Sequence, residues 1–515
     1  MILEIKQRPK TNDLTFSYVN TKGEIIYDVC PIIDRARGID DNFNWTECGK
    51  DNPERVPNVL NWNGRAVKRN RPSSLGLNPH VAVEYENLTQ TRCMEIIQTR
   101  YSEAELAEID CYKMPKMTFV DIETGMSPDG FEKPETARQP VTVIGMATED
   151  HRIIVYGIKP LTDEQKNRIQ YDINEHTKSL NNVHFEFKYI YFDSETAMLM
   201  AFFRNMKNMG MISGWNVVGF DWGYLYNRAS LRLKIDPATL VGVSGMTSGK
   251  DKIPTHIPIV DYMECYRRWD RSVEQKENLK LDQAGYDVLG VQKVHFAGSL
   301  QDLYEQDFPK YVYYNAIDCI LVEQLHERLK LTDIGCTLAW IAKTPVNRMQ
   351  SVVATTEGAL ADAYRKAGRV ICDANKKKGE AEGEGYEGAF VKDPVLGLHL
   401  FVSCNDFASL YPNIIRELNM SPETLVTKAE EWDENAKAKW RKKGYIVSQS
   451  GCVFEPNTTP GIFATLIGEI YNKRKAFKKK SYVCADKQRK LEELVKRVDL
   501  SDGDALAEME RILAL

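Results

Sequence analysis

The sequence lacks the features that mark several special classes of protein. Its eleven cysteines occur singly, with no CxxC pair and no Cys/His zinc spacing, so neither a disulfide framework nor a zinc finger is expected. The first residues contain no apolar segment of signal-peptide length, and no apolar run approaches membrane-spanning length. The net charge of −5 argues against a generally basic nucleic-acid-binding protein, although local basic patches are compatible with it. These absences predict a cytoplasmic protein with reduced thiols and no membrane partner.

What is present is an ordinary globular composition in a long chain. With 515 residues, of which 43% are hydrophobic and 27% charged, the chain exceeds a single core and predicts two to four domains. Short alternating segments before residue 113 predict a β-rich N-terminal domain. Strand and helix patterns alternate between residues 114 and 331, which is typical of an α/β layer architecture. The predicted fold class is therefore a multidomain α+β and α/β protein.

Four acidic residues and a tyrosine in the α/β region form a candidate catalytic set. Asp121 and Glu123, in FVDIET, lie two residues apart on a strand and therefore project from one face. Asp221 ends the mostly apolar run GWNVVGFD, and Tyr314 and Asp318 have the i, i+4 spacing of one helix face. Oxygen ligands suit Mg²⁺ or Mn²⁺, and two such ions can promote phosphodiester hydrolysis. Tyr314 would orient the attacking water.

Each member of this set also has a purely structural interpretation. The strand pair could lie on a solvated face, Asp221 could cap a helix, and a Tyr-x₃-Asp spacing occurs by chance. Taken together within one α/β segment, the five residues favour a functional site.

The stretch FVSCNDFASLYPNIIR, Phe401–Arg416, contains a second acidic candidate. It predicts an apolar strand that ends at Asp406 and turns at once into a helix. A carboxylate at the end of a buried strand needs a partner such as a metal ion. Alternatively, Asp406 caps the following helix. The residues of this stretch leave both interpretations open.

The order of the acidic motifs resembles the proofreading 3′–5′ exonuclease domain of family B DNA polymerases, of the DEDD type with a tyrosine. The resemblance implies an RNase H-like fold and two Mg²⁺ (or Mn²⁺) ions per active site, with the four carboxylates as ligands and Tyr314 as a further catalytic residue. It implies three DNA-binding residues, Phe131, Asn216 and Phe220. It leaves open whether Lys293 or His295 takes the auxiliary place of a lysine near the third motif.

The stretch around Asp406 resembles motif A of the family B replicative polymerases of T-even-type bacteriophages. The resemblance implies that Asp406 is a catalytic residue and a metal ligand, together with the carbonyl of Phe407. Leu410 and Tyr411 would form the floor of the nucleotide pocket, where the Tyr411 ring excludes a 2′-hydroxyl.

Two further segments follow from the same resemblance. In the basic helix KRKAFKKK, Arg474 and Lys478 would bind the incoming triphosphate, since cationic side chains stabilise charge on a transferring phosphoryl group. The alternative is a solvated charged face. In GYEGAFV, Tyr386 and Gly388 would hold the template strand.

The resemblance implies four parts: an N-terminal domain at 1–113 completed by 332–373, the exonuclease domain at 114–331, a partial palm with motif A at 374–459, and partial fingers at 460–515. The sequence contains no DTD motif and no KxxxNSxYG motif. We assign the late pair Asp502 and Asp504 to a solvated turn. A natural split between two genes and a truncated chain would both explain why the DTD and KxxxNSxYG motifs are missing. The split is favoured because the chain would end near the tip of a helical hairpin of the fingers, where an interruption is tolerated.

We therefore predict the N-terminal subunit of a split DNA-directed DNA polymerase that acts on primer-template DNA and dNTPs in the host cell cytoplasm. A C-terminal partner would complete the palm, fingers and thumb and carry any contact with a sliding clamp. Two alternatives are a free-standing single-strand 3′–5′ exonuclease and a non-catalytic nucleic-acid-binding module.

Overall fold

The structure is a computed structural model that describes most of the chain. It describes residues 1–8, 13–34, 39–40, 44–61, 65–70, 84–85, 90–126, 132–180, 183–241, 247–248, 253–254, 257–270, 278–371, 390–428 and 434–497. Phe131, Tyr386, Gly388, Asp502 and Asp504 lie outside these residues. Within the described ranges, no helix combines the length and apolar character needed to cross a membrane.

Strands and helices alternate through much of the chain. The strands are β1 (Ile2–Arg8), β2 (Asp13–Val19), β3 (Ile25–Pro31), β4 (Ile33–Asp34), β5 (Ile39–Asp40), β6 (Asn44–Glu47), β7 (Arg55–Asn61), β8 (Ala66–Asn70), β9 (Glu84–Tyr85), β10 (Met117–Thr124), β11 (Val141–Thr148), β12 (Arg152–Gly157), β13 (Glu186–Tyr191), β14 (Met211–Gly214), β15 (Thr247–Ser248), β16 (Ile253–Pro254), β17 (Ile259–Asp261), β18 (Arg369–Val370), β19 (Leu425–Lys428), β20 (Ile446–Val447) and β21 (Cys452–Phe454).

The helices range from five to 36 residues. They are α1 (Gln90–Arg100), α2 (Glu103–Ile109), α3 (Asp163–Thr177), α4 (Glu195–Asn205), α5 (Asp221–Asn227), α6 (Pro237–Val241), α7 (Tyr262–Trp269), α8 (Leu281–Leu289), α9 (Leu300–Gln306), α10 (Phe308–Leu329), α11 (Leu331–Ile341), α12 (Val352–Lys366), α13 (Leu410–Glu417), α14 (Glu434–Lys442) and α15 (Ile462–Arg497).

Residue contacts divide the chain into two compact units. The first comprises Met1–Phe43 and Asn87–Ala359, and the second comprises Asn44–Glu86 and Leu360–Leu515. The mixed α/β character expected from the sequence is confirmed. The four domain boundaries stay a prediction.

The first unit is built on a six-stranded sheet with the order β13-β12-β11-β10-β14-β17. The pairs β10/β11 and β11/β12 are antiparallel, and the other neighbours are parallel. Successive residues of β10 face opposite cores: Phe119 packs with α3 and α10, whereas Val120 and Ile122 pack with α4 and α5. Since side chains alternate along a strand, Asp121 and Glu123 share the face of Phe119, which is covered by α10.

Helix α10 is the long buried helix of this face. Its N-cap residue Asp307 accepts a hydrogen bond from the backbone N–H of Lys310 at 3.2 Å. The helix approaches β11 closely at Gly145, where a Cβ atom would overlap Asn315 Oδ1 and lie 2.7 Å from Cys319 Sγ. A residue without a side chain is therefore required here for α10 to reach the sheet.

The N-terminal segment forms the antiparallel sheet β1-β2-β3. The amino group of Met1 is buried and donates hydrogen bonds to the carbonyls of Val19 at 3.0 Å and Ile109 at 2.7 Å. Helix α2 begins with a capping box between Ser102 and Glu105. The β-rich character predicted for the N-terminal region is confirmed.

The second unit contains the sheet β18-β7-β8-β6-β9, the sheet β19-β21-β20 and the 36-residue helix α15. The strand predicted before Asp406 is wrong: residues 390–407 form no strand, and Leu398 and Phe401 are 92% and 101% exposed. A strand requires a neighbour for its backbone N–H and C=O groups, and no described strand pairs with this segment. The predicted burial of Asp406 fails for the same reason, because its side chain is exposed.

The close contact at Gly145 generates a stability prediction. We expect Gly145→Ala to lower the free energy of unfolding by about 1–3 kcal/mol, because the methyl group overpacks the contact between β11 and α10. Urea denaturation followed by circular dichroism measures this change. Gly223→Ala is the matched control, since its added Cβ meets Pro134 at an ordinary 3.4 Å within a helix. Equal losses in both variants would contradict the packing argument.

Candidate functional site

Strand β10 and helix α10 bring three of the predicted carboxylates together. Asp121, Glu123 and Asp318 each offer an oxygen, and these oxygens lie within 4.8 Å of one another. The two-residue spacing on β10 places Asp121 and Glu123 on the face that α10 covers. The packing of α10 on β10 thus brings Asp318 next to this pair, although the residues lie far apart in the sequence.

A residue that the motif analysis did not single out holds Asp121 in place. Asn315, next to Tyr314 on α10, donates from Nδ2 to Asp121 Oδ2 at 2.9 Å and to the Asp121 carbonyl at 3.2 Å. Its position between Tyr314 and Asp318 was the only signal in the sequence. Asn315 is fully buried, so this contact fixes the distance between β10 and α10.

Asp221 lies beside this group at the start of α5. Its Oδ1 accepts a hydrogen bond at 3.0 Å from the backbone N–H of Ile122, the residue between Asp121 and Glu123. Asp221 is 4% exposed, yet its oxygens are not among the three within 4.8 Å of one another. The structure thus places it next to the carboxylate group but not inside it.

Burial raises the pKa values of all four carboxyl groups, and a nearby carboxylate adds to each shift. Burial, with the negative charge of Asp318 as the next cause, raises the pKa of Asp121 to about 7. Burial also raises the pKa values of Glu123, Asp221 and Asp318. Carboxylates grouped in this way are costly to ionise without a neighbouring cation.

Lys293 brings a positive charge to the carboxylate group. Its Nζ lies 2.6 Å from Asp318 Oδ2 and 5.1 Å from the centre of the Tyr314 ring. Burial lowers the pKa of Lys293, but the charge of Asp318 and the other acidic groups around it outweigh burial and raise the pKa above its usual value. His295, two residues later, is exposed. Of the two residues that the sequence left open, Lys293 is thus the one that lies against Asp318.

The remaining oxygens fit a hard divalent cation. Asp318 Oδ1 is buried and has no hydrogen-bond partner among the described residues. The ligand atoms of the described group, from Asp121, Glu123 and Asp318, are all carboxylate oxygens, and Lys293 contacts one of these side chains. Such a set matches the ligands that Mg²⁺ and Mn²⁺ prefer.

Tyr314 lies over the same face of the site. Its ring packs edge-to-face against Phe296, with the ring centres 5.4 Å apart, and burial raises the pKa of its hydroxyl group well above the usual value. Tyr314 therefore stays a neutral hydroxyl that can donate or accept a hydrogen bond near Asp318.

The loop before Asp221 is organised by a residue that the sequence analysis missed. Asp261, at the end of β17, accepts hydrogen bonds from the backbone N–H groups of Asn216 at 3.1 Å and Val218 at 3.2 Å, and it caps α7. Asn216 is exposed with a left-handed φ of 63°, and Phe220 is half-buried. In the sequence, the position of this aspartate at the end of IPIVD, directly before a helix, could have indicated its role.

The candidate polymerase residues cluster around the start of α13. Asp406 and Phe407 are exposed, and Leu410 and Tyr411 open the helix. The N-cap position of α13 is Ser409, so Asp406 does not cap it. Among the described residues, no group of three potential metal ligands includes Asp406.

Helix α15 brings one basic candidate to this region. Arg474 Nη1 donates to Ser409 Oγ at 3.4 Å, which places Arg474 beside the N-terminus of α13. Lys478 follows one helical turn later, with its Nζ 5.5 Å from the centre of the Tyr482 ring on the same helix. The two cations predicted to act together therefore have different surroundings.

Two regions of the chain match family descriptions. Residues 85–257 match the DNA polymerase family B exonuclease domain, a range that includes Asp121, Glu123 and Asp221. Residues 347–494 match DNA polymerase family B. This range includes the candidate polymerase residues Asp406, Arg474 and Lys478.

Individual relatives agree with these matches. The chain is 28% identical to the DNA-directed DNA polymerase of Escherichia phage RB69 over 382 residues, which are 70% of this chain and 41% of that enzyme. It is 25% identical to the polymerase of Enterobacteria phage T4 over 57% of this chain and 34% of that enzyme. It is 28% identical to DNA polymerase 1 of Sulfolobus acidocaldarius over 74% of this chain and 43% of that protein.

The chain thus spans less than half the length of these curated relatives. The matched regions nevertheless contain both groups of candidate residues, apart from the third acidic motif on α10, which lies beyond residue 257. The chain thus carries the exonuclease domain and part of the polymerase domain of family B DNA polymerases.

Proposed function

We propose that this chain removes nucleotides from the 3′ end of DNA by hydrolysis. The observation that carries the proposal is the grouping of Asp121, Glu123 and Asp318 within 4.8 Å, next to Lys293 and Tyr314. Five functional groups of this chemistry match the requirements of metal-assisted phosphodiester cleavage.

The four carboxylates Asp121, Glu123, Asp221 and Asp318 would hold two Mg²⁺ or Mn²⁺ ions. Such ions, when bound, supply positive charge for the attacking and leaving oxygens of the reaction. The chain's own residues prepare the site. Asn315 orients Asp121, and Lys293 offsets the charge of Asp318. The neutral hydroxyl of Tyr314 would orient the attacking water.

The DNA end would approach across the loop before Asp221. Phe220 exposes part of its ring and Asn216 is exposed, so a terminal base could stack on the former and accept a hydrogen bond from the latter. Phe131 keeps its proposed role in DNA binding from the sequence resemblance.

We further propose that the second unit contributes half of a site for DNA synthesis. Asp406 and the carbonyl of Phe407 would bind metal, Leu410 and Tyr411 would form the nucleotide floor, and Arg474 and Lys478 would bind the triphosphate. The contact between Arg474 and Ser409 supports the placement of a phosphate-binding cation beside α13.

DNA synthesis would also require a second acidic motif and the rest of the palm, and the sequence contains no DTD motif. The exposed apolar segment at 390–407 supports this proposal, because no described strand pairs with it and it exposes side chains such as Leu398 to another chain segment. A later part of the same polypeptide or a separate C-terminal subunit would supply them, together with any clamp contact. The host cell cytoplasm would be the place of action.

Exonuclease activity tests the carboxylate group. We expect Asp121→Asn to slow the degradation of 3′-labelled single-stranded DNA by at least about 100-fold, because the site loses one ionised metal ligand. Gel analysis of the labelled products measures the rate. Glu305→Gln is the control, since Glu305 is exposed on α9 and should leave the rate unchanged. A fully active Asp121→Asn variant would refute the proposed mechanism.

The choice between Lys293 and His295 makes a second test. We expect Lys293→Ala to lower the rate of exonuclease cleavage by about tenfold or more, since Asp318 loses its charge partner and its fixed position. His295→Ala should retain the parental rate because His295 is exposed. A lowered cleavage rate in His295→Ala, with the parental rate in Lys293→Ala, would show that His295 and not Lys293 supports the site.

The incomplete polymerase site predicts a dependence on added polypeptide. Primer extension by this chain alone should be undetectable, because Asp406 belongs to no group of potential metal ligands among the described residues. Extension should appear when the chain is co-expressed with a family B polymerase segment that carries the DTD motif. Asp406→Ala should abolish that extension while leaving exonuclease cleavage intact. Extension by this chain alone would contradict the proposed division of the site.

A further inference from the structure

A second group of potential metal ligands lies towards the C-terminal end of α10. We propose that His151, Glu323 and Glu327 bind a transition-metal ion of the Zn²⁺ type, at a site separate from the exonuclease carboxylates. One nitrogen or oxygen atom from each of these residues lies within 4.8 Å of the other two.

Two parts of the first unit supply the ligands. His151 occupies the tight turn between β11 and β12 with a left-handed φ of 57°, a conformation unusual for a residue with a side chain. Glu323 and Glu327 share one face of α10 through their i, i+4 spacing. A bound ion would therefore join the turn to the helix.

The distance between the first two ligands suits a shared ion. His151 Nδ1 lies 3.3 Å from Glu323 Oε1, and this nitrogen is buried without a hydrogen-bond partner among the described residues. Two ligand atoms of a tetrahedral zinc site, each about 2.1 Å from the metal, lie roughly 3.4 Å apart. The spacing of this nitrogen from Glu323 Oε1 therefore matches that of two ligands of one ion.

Neighbouring side chains hold the ligands in position. Gln324 Nε2 donates to Glu323 Oε2 at 2.8 Å and to Glu327 Oε2 at 3.0 Å, which leaves the other oxygen of each carboxylate available. Phe185 packs edge-to-face against the His151 ring, with centres 5.3 Å apart. Outer contacts of this kind orient metal ligands in known sites.

The electrostatics of the group favour a dication. The side chain of Glu323 is 3% exposed, and burial raises its pKa to about 8, with the charges of Glu327 and Glu149 adding to the shift. A divalent ion would offset this unfavourable burial. An imidazole with two carboxylates suits Zn²⁺ or Mn²⁺ better than Mg²⁺, which prefers oxygen ligands alone.

The site is distinct from the exonuclease group although both use α10. Glu323 lies five residues after Asp318, which is about 7.5 Å along the helix axis and on a different side of the helix. Since α10 carries ligands of both groups, an ion at His151 would fix the helix that positions Asp318.

Zinc titration of the full chain tests the proposal. In buffer with millimolar Mg²⁺ to occupy oxygen-only sites, isothermal titration calorimetry should detect a Zn²⁺ site whose affinity falls at least about tenfold in His151→Ala and in Glu327→Gln. Glu327 is exposed, so its replacement leaves the core intact. Glu305→Gln, an acidic change at an exposed position on α9, is the matched control and should bind Zn²⁺ like the parent chain.

The position of the ion provides the second measurement. Anomalous scattering at the zinc edge from crystals of the full chain should give a peak between His151 and Glu327. Equal zinc affinity in all four proteins would overturn the proposal, as would an anomalous peak confined to the Asp121 group. Either result would leave His151 and Glu323 as an ion pair.

Discussion

Repulsion between buried carboxylates is the constraint on which the first unit depends. Asp121, Glu123 and Asp318 lie within 4.8 Å of one another, and burial raises the pKa value of each. Charges so placed destabilise a fold unless cations and hydrogen-bond donors compensate them. Lys293 and Asn315 provide part of that compensation, and the remainder matches the charge of divalent ions. The proposed catalytic group therefore destabilises the fold, and the packing around it must offset this cost.

Helix α10 is the element that meets this requirement. It is buried along most of its length, and the absence of a side chain at Gly145 lets it approach the sheet. A hydrogen bond between Tyr311 and Thr142, at 2.7 Å, connects the helix to the strand next to β10. The same helix carries Asp318 near its middle and Glu323 closer to its C-terminal end. Its position therefore couples the exonuclease group to the proposed zinc site.

In the second unit, the candidate catalytic carboxylate is exposed and not buried. Asp406 is exposed, and the apolar residues before it, including Leu398 and Phe401, contact little of the described protein. The carboxylate bears no burial cost there, but it also lacks described neighbours that could make it a metal ligand. A catalytic carboxylate becomes effective only when the segment that carries it is held in place, which is why the proposed synthesis site depends on further palm strands.

Local features follow from the amino-acid sequence alone. The two-residue period of β10 placed Asp121 and Glu123 on one face, and the i, i+4 spacing placed Tyr314 and Asp318 on one helix, because both patterns follow from backbone geometry. Tertiary structure decided which distant groups meet. It placed Lys293 against Asp318 and brought His151 to Glu323, and it left the segment before Asp406 unpaired with any described strand. These outcomes depend on contacts between residues far apart in the chain, which local periodicity does not encode.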